Sequence, residues 1–111
     1  MSKRYSYPEL AGADAKAAVL LMFNHLEGLL KRSFARTYPD EPLPDSVAAL
    51  TKNLTAKGVI TIGLCERLDD LRNQRNHIVH SDPQVTDEEA ADYYDSLGAA
   101  LLELTNTSLF R

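Results

Sequence analysis

The chain has 111 residues, of which 44% are hydrophobic and 25% charged, with no tryptophan and one cysteine, so it reads as one domain with an aliphatic core and excludes a disulfide framework. Residues 1 to 36 carry a balance of +3 and residues 37 to 111 a balance of −7, giving the overall −4. That acidity excludes a generic nucleic-acid-coating protein and leaves only local basic patches for binding RNA, namely the N-terminal helix together with Arg72 and Arg75. DNA is not an expected partner. No apolar run is long enough to span a bilayer, and Met1-Ser2-Lys3-Arg4-Tyr5 lacks the apolar core of a signal peptide, so no membrane contact and a cytoplasmic location are expected.

In chain order, Pro8 suits a first helical turn, Gly12 is a weak point, and Asp14 is placed to restart or cap a helix. Val19, Met22, Phe23, Leu26, Leu29, Leu30 and Phe34 then recur at helical spacing, with Lys16, Glu27, Lys31 and Arg32 off that face. His25 and Asn24 lie beside this stripe and read as ordinary helix residues. Tyr38-Pro39-Asp40-Glu41-Pro42-Leu43-Pro44 cannot continue the helix, because each proline removes a donor and restricts its predecessor.

Asp45 or Ser46 caps a short helix carrying Val47, Leu50 and Leu54, which stops at Gly58. Thr61 is placed to cap a central helix whose apolar face is Ile60, Leu64, Leu68 and Leu71, with the lone Cys65 near that face as a structural residue. The central helix runs toward His80 and is expected to stop around Ser81-Asp82-Pro83. Thr86-x-x-Glu89 is a capping box, and Ala90, Tyr93, Tyr94, Leu97, Leu101 and Leu104 form the buried stripe of the last helix. No strand alternation and no repeat occur, so the fold class is all-α, a bundle of four main helices with room for a short additional helical segment, in one domain over 1–111.

The segment Leu71-Arg72-Asn73-Gln74-Arg75-Asn76-His77-Ile78-Val79-His80 departs from a packing pattern. On a helical wheel Arg75 falls inside the apolar stripe, between Leu68, Leu71, Ile78 and Val79. A guanidinium there predicts a carboxylate across the interface, a bound anion, or a helix that ends before Arg75. Arg72, Asn76 and His80 share a neighbouring polar stripe at i, i+4 and i+8. An imidazole can accept or donate a proton near neutral pH, a guanidinium can hold phosphoryl oxygens through paired donors, and an amide can orient either group. Asp69, Asp70 and Asp82 have poor metal-ligand spacing and read as a solvated face or as ion-pair partners of Arg72. A purely structural reading is also open: Asn76 capping carbonyls, Arg75 paired with a glutamate of the last helix, and His80 closing the helix end.

Arg75-Asn76-x-x-x-His80 resembles the Arg-x(4 to 6)-His motif of the HEPN superfamily, in which a polar residue, commonly Asn, follows the Arg. The likeness extends through Gly58-Val59-Ile60, Asp70-Leu71-Arg72 and Glu88-Glu89-Ala90 over the C-terminal half. The resemblance implies a HEPN-like helical bundle and a metal-independent endoribonuclease of toxin or defence type. Arg75 and His80 would be its catalytic pair, Asn76 their polar companion, and Arg72 and Arg75 its phosphate contacts. It further implies a homodimer whose two motifs face one cleft, RNA as substrate, no cofactor, no metal, and a cognate antitoxin or regulatory protein as partner. The superfamily's alternative role is a non-catalytic interaction or nucleotide-sensing module. Ser81-Asp82 stand where the branch partnered by a nucleotidyltransferase commonly has a tyrosine two residues after the motif histidine, so that branch is not implied.

Overall fold

The computed structural model describes residues 7–80 and 85–110, and for 7–14 and Val79 the backbone alone. Four α-helices follow one another: α1 (Tyr7–Thr37), α2 (Val47–Ala56), α3 (Ile62–His80) and α4 (Asp87–Thr105), with a 3₁₀ turn at Ser108–Phe110. The fold is an all-α four-helix bundle, as the periodicity predicts.

Helix α1 is the spine. At 1.5 Å per residue its 31 residues span about 46 Å, matching the 46 Å long dimension of the molecule. The backbone stays helical through Gly12 and Asp14, where a break or restart was expected. One interior glycine costs about 1 kcal/mol, too little to end a helix this long. Ala18, Val19, Met22, Phe23, Leu26, Leu30 and Phe34 are all buried along one side, while Leu29 is half-buried.

Local hydrogen bonds set the ends of the shorter helices. The Ala49 N–H donates to Ser46 Oγ at 3.1 Å, so Ser46 rather than Asp45 caps α2. At its other end the Val59 N–H reaches the Leu54 carbonyl and the Gly58 N–H the Thr55 carbonyl, the two bonds of a Schellman motif, which requires the left-handed φ of 75° at Gly58. Thr61 Oγ1 accepts from the Leu64 N–H at 3.0 Å at the start of α3. The Thr86–Glu89 capping box forms in both directions at α4. The expected end of α3 at Ser81-Asp82-Pro83 lies outside the described residues.

Helix α1 makes its most extensive contact with α4, and the two run parallel. Arg36 and Thr37 at the end of α1 donate to the Leu109 carbonyl just past α4, whereas Met22 and His25 meet Tyr94 and Leu97 well before it. Helix α3 runs antiparallel to α4, with Arg67 paired to Glu103 at one end and the Tyr93 hydroxyl on the Leu71 carbonyl nearer the other. Leu64, Leu68 and Leu71 close the core from α3. Tyr94, expected on the buried stripe, is 43% exposed. Adjacent residues on a helix point about 100° apart, so only one of Tyr93 and Tyr94 can face the core, and Tyr93 does.

Candidate functional site

Helix α3 stays intact from Ile62 through Arg75 to His80, so Arg75 faces its apolar surroundings on a helix. Its guanidinium carbon lies 4.8 Å from the centroid of the Phe23 ring of α1. This is a cation–π contact, worth about 0.5–2 kcal/mol depending on its desolvation. Of the three outcomes expected at Arg75, the helix end is ruled out, and no carboxylate pairs with it among the described residues. The Arg75 Nε is buried with no hydrogen-bond partner there, which leaves one donor and the positive charge uncommitted.

Tyr93 completes the surroundings of Arg75. Its hydroxyl is buried and donates to the Leu71 carbonyl at 3.0 Å. Burial pushes this phenol well above its ordinary value of 10.0, and the positive charge of Arg75 works in the opposite direction. The phenol is therefore a fixed neutral donor, and Leu71 is its acceptor. Phe23 and Tyr93 were read from the sequence as packing residues alone. The one signal toward them is Arg75 itself, since a cation on an apolar stripe without a carboxylate nearby calls for an aromatic face, and the chain has only five Tyr and three Phe.

The remaining motif residues sit elsewhere around α3. Arg72 is half-buried and bonded to Asp69 Oδ1, at 2.6 Å from Nη2 and 3.2 Å from Nε, the ion pair anticipated for the acidic neighbours. To hold a phosphate, Arg72 would have to exchange that carboxylate. Asn73 Nδ2 also donates to Asp69, at 3.5 Å. Asn76 is half-buried, one turn on from Arg72, and His80 is exposed in the last turn of α3. Five residues on a helix correspond to about 140° of rotation and about 7.5 Å of rise, so Arg75 and His80 point in different directions. Within one chain the structure brings Arg75 to Phe23 and Tyr93, and not to His80.

Two of the grooves that flank α4 bear on the reading of the site. The one between α3 and α4, about 450 Å³, is lined by Asn73, Gln74, His77 and Ile78 on one side and Glu89, Asp92, Tyr93 and Ser96 on the other, and Arg72, Arg75, Asn76 and His80 do not contribute to it. The other, about 340 Å³ between α1 and α4, has mainly apolar walls that include Met22, Leu29, Tyr94 and Leu101, with His25 and Asp95 among its polar residues. Among the described residues no group of three His, Cys, Asp or Glu side chains is placed to hold a metal ion, and no helix is long and apolar enough to cross a membrane.

No protein-family model matches the chain, and neither the curated proteins nor the solved structures contain a match. The fold class rests on the helices themselves, and any functional reading rests on the residues around Arg75 and His80.

Proposed function

We propose that this chain is a HEPN-like, metal-independent endoribonuclease of toxin or defence type, acting as a homodimer through Arg75, Asn76 and His80. The observation that carries the reading is the state of Arg75: a guanidinium held on the face of Phe23, with neither a carboxylate pair nor an acceptor for its buried Nε–H among the described residues. Such a cation is preorganised for a phosphoryl oxygen. In the proposed reaction His80 takes the proton of the ribose 2′-hydroxyl, whose oxygen attacks the adjacent phosphorus. The 5′-oxygen leaves and takes a proton from a solvent water, and the resulting hydroxide is neutralised by the proton held on His80. The products are a 2′,3′-cyclic phosphate and a 5′-hydroxyl.

Two copies are part of the proposal because the HEPN resemblance implies them, and the placement of the two residues within one chain is compatible with it. Arg75 and His80 diverge by about 140° around α3, so a phosphate bound at one chain's Arg75 would meet the other chain's His80 in a shared cleft. The six carboxylates of α4, with no basic residue in that helix, would repel bulk RNA and restrict cleavage to particular substrates. A cognate antitoxin or regulatory protein and a cytoplasmic location belong to the same reading.

RNA cleavage in EDTA tests it, with wild type and His80→Ala compared and the solution mass of each recorded. Cutting by wild type alone, at equal mass, supports the proposal. A folded wild type that cuts none of several RNA classes sinks it.

A second reading, a non-catalytic interaction module, is favoured by a different observation. Leu21, Tyr94 and Leu102 are 42%, 43% and 68% exposed on α1 and α4, and Leu21 and Tyr94 belong to the two helices that form the apolar-walled groove. A surface of this kind suits the apolar face of a partner helix. This reading expects Leu21→Glu and Tyr94→Glu to abolish function in the cell and His80→Ala to leave it intact. The nuclease reading expects the His80 substitution to be the damaging one.

A further inference from the structure

The groove between α1 and α4 is apolar along its middle and oppositely charged at its two ends. On α4, Ala91, Tyr94, Gly98, Leu101 and Thr105 recur at spacings of three and four, so they form one stripe on the side of the groove. On α1 the facing stripe is His25, Leu29, Arg32 and Arg36, at spacings of four and three. The two helices run parallel and Arg36 reaches the Leu109 carbonyl, so both arginines stand beside the C-terminal half of α4. The N-terminal half of α4 holds five of that helix's six carboxylates; Asp87 heads the Ala91 stripe and Asp95 lines the groove. Among the described residues no ion pair joins Arg32, Arg36, Asp87 or Asp95 to another side chain. The other titratable groups of the groove are His25 and Tyr94, and Tyr94 is held by an interaction of its own.

Gly98 is the middle residue of the α4 stripe. It is exposed, and a Cβ there would meet nothing within 4 Å, so packing within the chain gives no reason for a glycine. Inside a helix glycine is less favourable than alanine, and what it offers in return is close approach of another backbone. Leu102, 68% exposed one turn further on, and Tyr94 one turn before it flank this point with apolar surface.

An antiparallel pairing of two α4 helices about a two-fold axis at Gly98 answers both the glycine and the charges. Tyr94 then falls beside Leu102 of the copy and Ala91 beside Thr105, while the acidic first half of each α4 lies along the other chain's Arg32 and Arg36. A parallel pairing would instead set the two acidic halves against each other.

We propose that the α1–α4 groove is an interface between two copies of this chain, occupied by α4 of the second copy, antiparallel, with Gly98 at the crossing. The interface does not rest on the nuclease reading: α3, which carries Arg75 and His80, contributes no residue to the groove.

Sedimentation equilibrium of the full chain, up to hundreds of micromolar and at low and high salt, tests the proposal without reference to RNA. A dimer that weakens as salt rises is expected. Leu102→Glu and Gly98→Leu change exposed positions, so both variants should keep the wild-type helical circular dichroism while dimerisation weakens about tenfold or more. Arg32→Glu with Arg36→Glu in one chain, and Asp87→Lys with Asp95→Lys in another, should each weaken self-association, and an equimolar mixture should restore a dimer made of one of each, because both ends of the groove again meet opposite charge. A wild type that stays monomeric throughout overturns the proposal and leaves the groove to a different partner. A dimer indifferent to Leu102→Glu and Gly98→Leu, or a charge-reversed mixture that does not re-associate, overturns it as well, since the copies would then meet on another face.

Discussion

The Tyr93 hydroxyl of α4 donates to the Leu71 carbonyl of α3 at 3.0 Å, one turn before Arg75. It ties the helix that carries the motif to the helix that packs along α1. Tyr93→Phe keeps the ring and removes this single bond, and because a helical carbonyl retains its own backbone donor, no bare acceptor is created. The expected cost is about 1 kcal/mol. Urea denaturation should show a lower midpoint with an unchanged slope, and a loss above about 3 kcal/mol would mean that the hydroxyl does more than this bond.

Arg75 is predicted to matter far less for stability than for chemistry. Arg75→Met keeps the stem volume, gives up a cation–π contact of about 0.5–2 kcal/mol, and also removes a buried N–H without a partner, itself a cost of about 1–3 kcal/mol. The two effects offset each other, so stability should change by less than about 1.5 kcal/mol. Under the proposed nuclease function, cleavage, by contrast, should fall about 100-fold or more. A double-mutant cycle with Phe23→Leu should return a coupling of about 0.5–1 kcal/mol in denaturation, and zero coupling would refute the ring contact.

The α4 cap makes stability pH-dependent in a defined direction. The folded state holds Glu89 below the ordinary glutamate value of 4.5, because its ionised form accepts from the Thr86 backbone and hydroxyl. As the pH falls below that value the unfolded chain takes up the proton first. The Glu89 contribution is therefore fully present above about pH 4.5 and is lost as the pH drops through the lower folded value. Thermal melts of wild type and Glu89→Gln should converge on acidification across this window. Parallel curves would show that the box does not titrate. Thr86→Ala, tested at neutral pH, should cost about 1 kcal/mol.

Gly58→Ala isolates a backbone effect. A Cβ at this position meets nothing within 4 Å, so crowding does not enter, but the φ of 75° is unfavourable for any L side chain. A loss of about 1 kcal/mol is expected, and Gly58→Asn, which tolerates the left-handed region better, should lose less. Equal losses for the two would point away from backbone conformation.

The sequence by itself determined the four helices, several of their caps and most of the buried stripes, but not the unbroken run of α1 through Gly12 and Asp14 nor the exposure of Tyr94. Ser46, Thr61, the Thr86–Glu89 pair and Gly58 act within a few residues of themselves, and the stripe from Val19 to Phe34 is a one-dimensional repeat, so both are legible without knowing what packs where. The same local logic showed that Arg75 lies on an apolar face, and it placed Asp69 within reach of Arg72. Only the tertiary structure decided what Arg75 meets. Phe23 lies far away in sequence, and its contact depends on the alignment of α1 against α3, which no local period encodes. Packing likewise chose Tyr93 over Tyr94 for the core and set Asn73 and Gln74 opposite Glu89 and Asp92 across one groove. Periodicity says which face of a helix turns inward; the partner on the other side is selected by close packing among elements distant in the chain.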